Sequence, residues 1–194
     1  MYIQAQFDRL RQGDVLRDIV LKDAYNTGNE ITVPFIVILT QDCDLEQERE
    51  AIKAIAETLE PGYVLEKGKS PPTNDKYLNN ILVCPAFIAV DVHNGDHFAQ
   101  LEWTMTHHSS QIELNNNPRY HFLAANKSFS VPALCMDFKR VFTLPRDYME
   151  RSLQNKAAKL EDLFAQAVSN RFTAFTSRVA LPVLDEDGEI KKEL

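Results

Sequence analysis

The chain has 194 residues, a hydrophobic fraction of 44% and a formal charge of −7. This length suits one globular domain, or one domain with an appendage. The acidic balance argues against wrapping nucleic acid over the whole surface, because that mode needs clustered Lys and Arg, but it leaves a local basic groove open. No apolar run approaches the roughly 20 residues that span a bilayer, and the first residues lack a signal-peptide pattern. We therefore expect a cytoplasmic protein that contacts no membrane.

The first elements in the chain are the two strands of a hairpin. A Gly-Asp turn opens a strand of about eight residues, and alternation places Val15, Ile19 and Leu21 on one of its faces. Residues 26–29 have the composition of a tight turn. Residues 31–40 form the return strand, which is apolar enough to be buried on both faces.

A helix is expected directly after this hairpin. Apolar residues recur at helical spacing over residues 45–59, and Asp44 suits the N-cap position. Pro and Gly end the helix, and an exposed loop follows over residues 66–75. Residues 45–79 are thus expected to form an insertion in the sheet.

The middle of the chain carries further strand signals. Residues 81–91 read as a second buried strand, in which Pro85 implies a bulge or an edge position. The next segment is ambiguous, and we favour a helix over residues 97–106. Residues 119–123 alternate as a short strand, and residues 131–144 suit one long strand or two strands with a kink.

Helical signals dominate the end of the chain. Pro145 suits the first turn of a helix, and an apolar stripe at steps of three and four predicts a last helix over residues 160–179. The expected organisation is a β-barrel-like domain over residues 1–150, a helical segment over residues 151–182 packed on it, and an acidic flexible tail over residues 183–194. The class is α+β, as an SH3-like β-barrel or a strongly bent antiparallel sheet with an inserted helix and C-terminal helices.

About a quarter of the chain resembles the MazF/PemK toxin family. Gly13-Asp14-Val15 opens a strand, residues 37–40 end another and residues 81–85 begin a third, in the order of that family. Residues 131–140 are similar to its late strand, which ends in an acidic residue followed by a basic one. The resemblance implies an SH3-like β-barrel and a dimeric endoribonuclease, in a prokaryotic toxin-antitoxin or phage-defence setting.

The resemblance also implies two catalytic positions. In the family, an arginine shortly before the second strand and a Ser or Thr at its end carry RNA cleavage, and Thr40 occupies the second position. Residues 26–34 contain no basic residue at the first. A phosphorane charge needs a stabilising cation, and Arg17 or Lys22 is the nearest in sequence.

Polar residues at the end of the return strand form a second candidate site. Gln41, Asp42, Cys43 and Asp44 follow Thr40 directly. The expected helix dipole favours a reactive thiol, whereas the two aspartates act against one, so an inert cysteine is the preferred interpretation. The chain has three cysteines and no Cys-x-x-Cys or His-Glu-x-x-His spacing, so we expect no disulfide framework, metal or cofactor.

Basic and aromatic residues mark a candidate ligand-binding surface. Arg119, Tyr120 and His121 place a cation, a ring and an imidazole in one short strand, a pattern that suits stacking on a base or contact with a phosphate. Alternation of core and surface residues gives the same pattern without a ligand and is preferred here. Arg17 and Arg140 complete this candidate set.

Three functions follow from these patterns. The favoured function is a binding or regulatory module that contacts a protein or a nucleic acid and forms a homodimer. The first alternative is an endoribonuclease that uses Thr40 with an arginine. The second is a metal- or thiol-dependent hydrolase at residues 41–44, joined by a distant histidine.

Overall fold

The computed structural model of the protein describes residues 1–22, 30–59, 74–107 and 112–177. In these residues the fold is α+β, with four helices and eight strands in one antiparallel sheet. The strands are β1 (Tyr2–Ile3), β2 (Asp14–Lys22), β3 (Glu30–Ile38), β4 (Asn80–Ile88), β5 (Tyr120–Leu123), β6 (Leu134–Asp137), β7 (Phe142–Pro145) and β8 (Lys156–Leu160). The helices are α1 (Asp42–Thr58), α2 (Ala89–Asn94), α3 (Arg146–Arg151) and α4 (Asp162–Thr176).

The sheet is open. Its strands run in the order β1-β8-β2-β3-β4-β6-β5, and β7 pairs with β4 beside this path. In the described residues, β1 and β5 stand at the two ends and do not pair with each other, so the sheet is not closed into a barrel. Both faces of the sheet carry a hydrophobic core, which explains why β3 is apolar at nearly every position.

The expected hairpin of β2 and β3 is present, although residues 26–29 of its turn lie outside the described residues. The expected face of β2 is wrong. Ile19 and Leu21 join one core cluster and Val15 joins the other. Alternation breaks between them because Asp18 has a φ of 54° and lies opposite Pro34, which has no N–H to donate to the ladder.

Pro85 lies where β4 changes partner. Along one edge, β4 pairs with β7 through residues 80–83 and with β6 through residues 86–88. The missing N–H of Pro85 therefore falls between two ladders, at a local edge.

Two helical expectations need correction. The N-cap of α1 is Gln41, so this helix begins three residues before the expected start. The chain turns from β4 directly into α2, and residues 97–106 contain only a 3-10 turn at Ala99–Leu101. Gly95 ends α2 with a φ of 78°, and a Cβ there would lie 2.5 Å from the backbone oxygen of Met105. The returning chain therefore occupies the space around Gly95.

The largest correction concerns residues 151–182. This segment is not wholly helical, because Lys156–Leu160 forms β8 between β1 and β2, and α4 begins only at Asp162. Lys156 is an unusual residue for an interior strand, and it is buried there because its Nζ lies 2.7 Å from the Asp14 carboxylate. The tail, residues 183–194, lies outside the described residues.

Candidate functional site

The hydroxyl oxygen of Thr40 has a structural partner. It accepts a hydrogen bond of 2.7 Å from the backbone N–H of Leu82, and the N–H of Thr40 donates to the carbonyl of Leu82. Because β3 ends at Ile38, it offers no backbone carbonyl to the N–H of Leu82. Thr40 therefore ends the β3–β4 ladder in place of a backbone carbonyl.

The residues after Thr40 begin α1. Asp42 accepts a hydrogen bond of 2.8 Å from the backbone N–H of Gln12 and lies 3.5 Å from Arg11, so it joins the N-terminal lead-in to the helix. The exposed Sγ of Cys43 contacts side-chain oxygens of Gln41 at 3.4 Å and Asp44 at 3.6 Å. Neither of these neighbours is a cation of the kind that activates a cysteine nucleophile.

A cavity of about 530 Å³ adjoins this strand end, between the lead-in, α1 and α3; we call it the N-terminal cleft. Four arginines line it, and each is paired with a carboxylate. The pairs are Arg9–Glu46, Arg11–Asp42, Arg49–Glu46 and Arg146–Glu48, at 2.5 to 3.5 Å. Among the described residues no histidine lines the cleft, and no group of three His, Cys, Asp or Glu side chains could hold a metal ion.

Arg119 is held by a buried carboxylate. Its Nε and Nη2 donate to the two oxygens of Asp137 at 2.8 and 2.6 Å, and Asp137 is 0% exposed. The guanidinium also lies 4.8 Å from the ring centroid of Tyr120. The hydrogen bonds to Asp137 raise the pKa of Arg119. Its charge is therefore compensated inside the fold.

The neighbours of Arg119 are core residues. Tyr120 is fully buried, and His121 is 8% exposed beside Phe138. Burial and, to a lesser extent, the positive charge of Arg171 lower the pKa of His121 to about 4. His121 is therefore neutral at pH 7 and cannot neutralise a phosphate charge.

A second cavity, of about 720 Å³, has a different charge; we call it the basic cleft. Among the described residues, four cations line it and no carboxylate does: Lys22, Lys139, Arg140 and Arg151. Its walls also include the rings of Phe142 and Tyr148.

The four cations differ in their partners. Lys22 lies 3.3 Å from Glu30. The guanidinium of Arg140 lies 5.3 and 5.2 Å from the ring centroids of Phe98 and Trp103, which hold it by cation–π contact. Lys139 and Arg151 are exposed and form no ion pair with the described residues. These two cations are thus available to an anionic ligand.

Tertiary packing builds the basic cleft from segments that are far apart in sequence. Lys22 lies at the end of β2, and Arg151 lies in α3. The hydroxyl of Tyr148, which is also in α3, donates a hydrogen bond of 2.9 Å to the backbone oxygen of Val20 and so holds α3 against β2. Of the residues singled out in the sequence, the structure places Lys22 and Arg140 here. Arg17 is half-buried on β2 and lines neither cleft.

Sequence reasoning missed Lys139 and Arg151, and it named Lys22 only as a candidate cation for RNA cleavage. The available signal was weak, a Lys-Arg pair after Asp137 in the segment already singled out. Isolated lysines and arginines elsewhere in the chain look the same as these in the sequence.

Comparison with known proteins assigns no family. A scan against protein-family models gives no match, and a search of curated proteins gives none either. In the described residues, no helix combines the length and the apolar character needed to cross a membrane. The geometry of the two clefts is therefore the basis for assigning a function.

Proposed function

We propose that this chain is a binding module whose basic cleft contacts the phosphates of a nucleic-acid strand. The observation that carries the proposal is a cavity to which the described residues contribute four cations and no carboxylate, in a chain whose formal charge is −7. Electrostatic contacts with phosphates supply most non-specific nucleic-acid affinity. A concave surface concentrates this attraction in one place.

The walls of the basic cleft favour a nucleic acid over a small inorganic anion. Phe142 and Tyr148 offer ring surfaces beside the cations, and bases stack on such rings in many single-strand binding sites. The volume of about 720 Å³ also exceeds what one phosphate group would fill. The homodimer and the toxin-antitoxin or phage-defence setting remain parts of this proposal that rest on the MazF/PemK resemblance; the SH3-like barrel is not among them, because the sheet of the described residues is open.

The two catalytic alternatives have less support. An endoribonuclease would need a cation beside Thr40, whereas the arginines of the N-terminal cleft, which adjoins this strand end, are paired with carboxylates. A hydrolase at Cys43 would need a base, and its side-chain neighbours are Gln41 and Asp44. The binding module requires neither group.

Fluorescence anisotropy with a labelled single-stranded oligonucleotide tests the proposal. Lys139→Ala/Arg151→Ala should weaken binding at least tenfold, and its plot of log K against log salt should be shallower by about 1.4, roughly 0.7 for each lost phosphate contact. The matched control Lys53→Ala/Lys76→Ala removes the same charge at exposed positions outside both clefts.

The control also separates local binding from net charge. An equal loss of affinity in both double variants would show that the whole surface, and not the basic cleft, attracts the oligonucleotide. An absence of binding by the wild type at low salt would refute the proposed function.

A further inference from the structure

The basic cleft has a candidate ligand within the same chain. Residues 181–190 read Leu-Pro-Val-Leu-Asp-Glu-Asp-Gly-Glu-Ile, which combines four carboxylates with five apolar or proline side chains and contains no basic residue. The basic cleft has the complementary lining, four cations around the side chains of Val20, Leu21, Val141, Phe142, Leu144 and Pro145. Both the charge and the apolar character of the two partners match.

The end of α4 packs on the residue that precedes two of the cleft cations. Phe172 and Phe175, in the last two turns of α4, contact the ring of Phe138 with centroid distances of 5.6 and 6.1 Å. Lys139 and Arg140 follow Phe138 directly and line the cleft. The chain therefore leaves the described fold close to the cations that the acidic segment would contact.

The connection is long enough for this contact. Three residues separate Ser177, the last described residue, from Leu181, and these four Cα-to-Cα steps reach up to about 14 Å when extended. Residues 178–190 together reach up to about 45 Å. A tether this short holds the segment at an effective concentration on the order of 1 mM near the cleft.

We propose that residues 181–190 occupy the basic cleft of their own chain and compete there with nucleic acid. Asp185, Glu186 and Asp187 would pair with the cleft cations, and the apolar residues on either side would cover its walls. The inference rests on the proposed function in one respect, because the segment regulates binding at that same cleft. A nucleic acid would have to displace the segment, so binding in the full chain would be weaker and more selective than the open cleft allows.

The test uses the full chain with a neutral segment, Asp185→Asn/Glu186→Gln/Asp187→Asn. The matched control, Asp44→Asn/Glu50→Gln/Glu57→Gln, removes three carboxylates at exposed positions of α1. If the segment binds with a dissociation constant on the order of 0.1 mM against a tethered concentration on the order of 1 mM, neutralising it should tighten oligonucleotide binding about tenfold. The control should change the affinity much less.

Trp103 supplies a readout that needs no nucleic acid. It is the single tryptophan of the chain, and Arg140 of the cleft lies 5.2 Å from its ring. The neutral-segment variant should differ from the wild type in Trp103 emission. A peptide of residues 181–190 added to that variant should restore the wild-type emission, and Lys139→Ala/Arg151→Ala should abolish this response.

The two readouts separate the two proposals. Oligonucleotide binding that is equal in the wild type, the neutral-segment variant and its control, with no response of Trp103 to the peptide, would overturn the inference and leave the proposed function standing. A Trp103 response without oligonucleotide binding by any variant would support occupation of the cleft by the segment and refute the proposed nucleic-acid function.

Discussion

Replacing Arg119 separates a structural role from a ligand-binding role. The sequence marks Arg119 as a phosphate contact, whereas in the structure it forms two hydrogen bonds to Asp137, which is 0% exposed. Arg119→Ala would leave a buried carboxylate without its cation, a change that costs about 3–5 kcal/mol. Asp137 would still accept a hydrogen bond of 3.1 Å from the backbone N–H of Lys139. This neutral donor cannot neutralise the charge of the carboxylate.

The size of this effect can be measured by urea unfolding and by thermal unfolding, both followed by circular dichroism. A loss of about 4 kcal/mol should lower the melting temperature by roughly 10 °C for a domain of this size. Arg151→Ala is the matched control, because Arg151 is an exposed arginine without an ion pair among the described residues. It should change stability by less than about 0.5 kcal/mol and should weaken oligonucleotide binding.

The opposite pattern would refute this reasoning. If Arg119→Ala is as stable as the wild type and loses oligonucleotide binding, Arg119 acts on the ligand and its pairing with Asp137 is incidental. A second variant, Arg119→Met/Asp137→Leu, removes both charges together. It should recover much of the lost stability, because no unpaired charge stays buried.

The remaining predictions concern ionisation and the strand end. Burial raises the pKa of Asp14 to about 6 although Lys156 acts to lower it; the native state then binds the proton more tightly, and the free energy of unfolding falls as pH rises from about 4 to about 6. The lowered pKa of His121, about 4, has the opposite effect, so the free energy of unfolding rises with pH from about 4 to about 6.5. In urea titrations at several pH values, the free energy of unfolding of His121→Asn should fall as pH rises, because only the Asp14 effect is left. That of Asp14→Asn should rise, because only the His121 effect is left, and identical profiles for the two variants would contradict both assignments. Thr40→Val should cost about 1–2 kcal/mol in urea unfolding, because the N–H of Leu82 loses its acceptor, and should leave oligonucleotide affinity unchanged; RNA cleavage by the wild type that disappears in Thr40→Val would favour the endoribonuclease instead.

Local patterns in the sequence predict several elements of this fold correctly. The alternation and apolar content of β2 and β3 predict the hairpin, and helical spacing predicts most of α1. These signals succeed because side-chain direction repeats every two residues in a strand and every 3.6 in a helix. They fail at Asp18, where one left-handed residue reverses the faces that simple alternation assigns.

Tertiary contacts decide the elements whose local signal is weak or misleading. Lys156-Ala-Ala-Lys-Leu160 consists of good helix formers, yet it is β8 in the structure. The Nζ of Lys156 is paired with Asp14 and donates to the backbone oxygens of Gln6 and Arg9. All three partners lie at the start of the chain, so no window around residues 156–160 contains the information that places them in the sheet.

The same division applies to the candidate site. The sequence by itself determined the α+β class, the residues that could carry chemistry and the excess of negative charge. Only the tertiary structure decided that Arg119 is compensated by Asp137 while Lys139 and Arg151 line a cleft to which the described residues contribute no carboxylate. The physical reason is that a charge acts through the groups around it in space, and in this fold those groups come from the end of β2 and from residues 139–151, two segments that are distant in sequence.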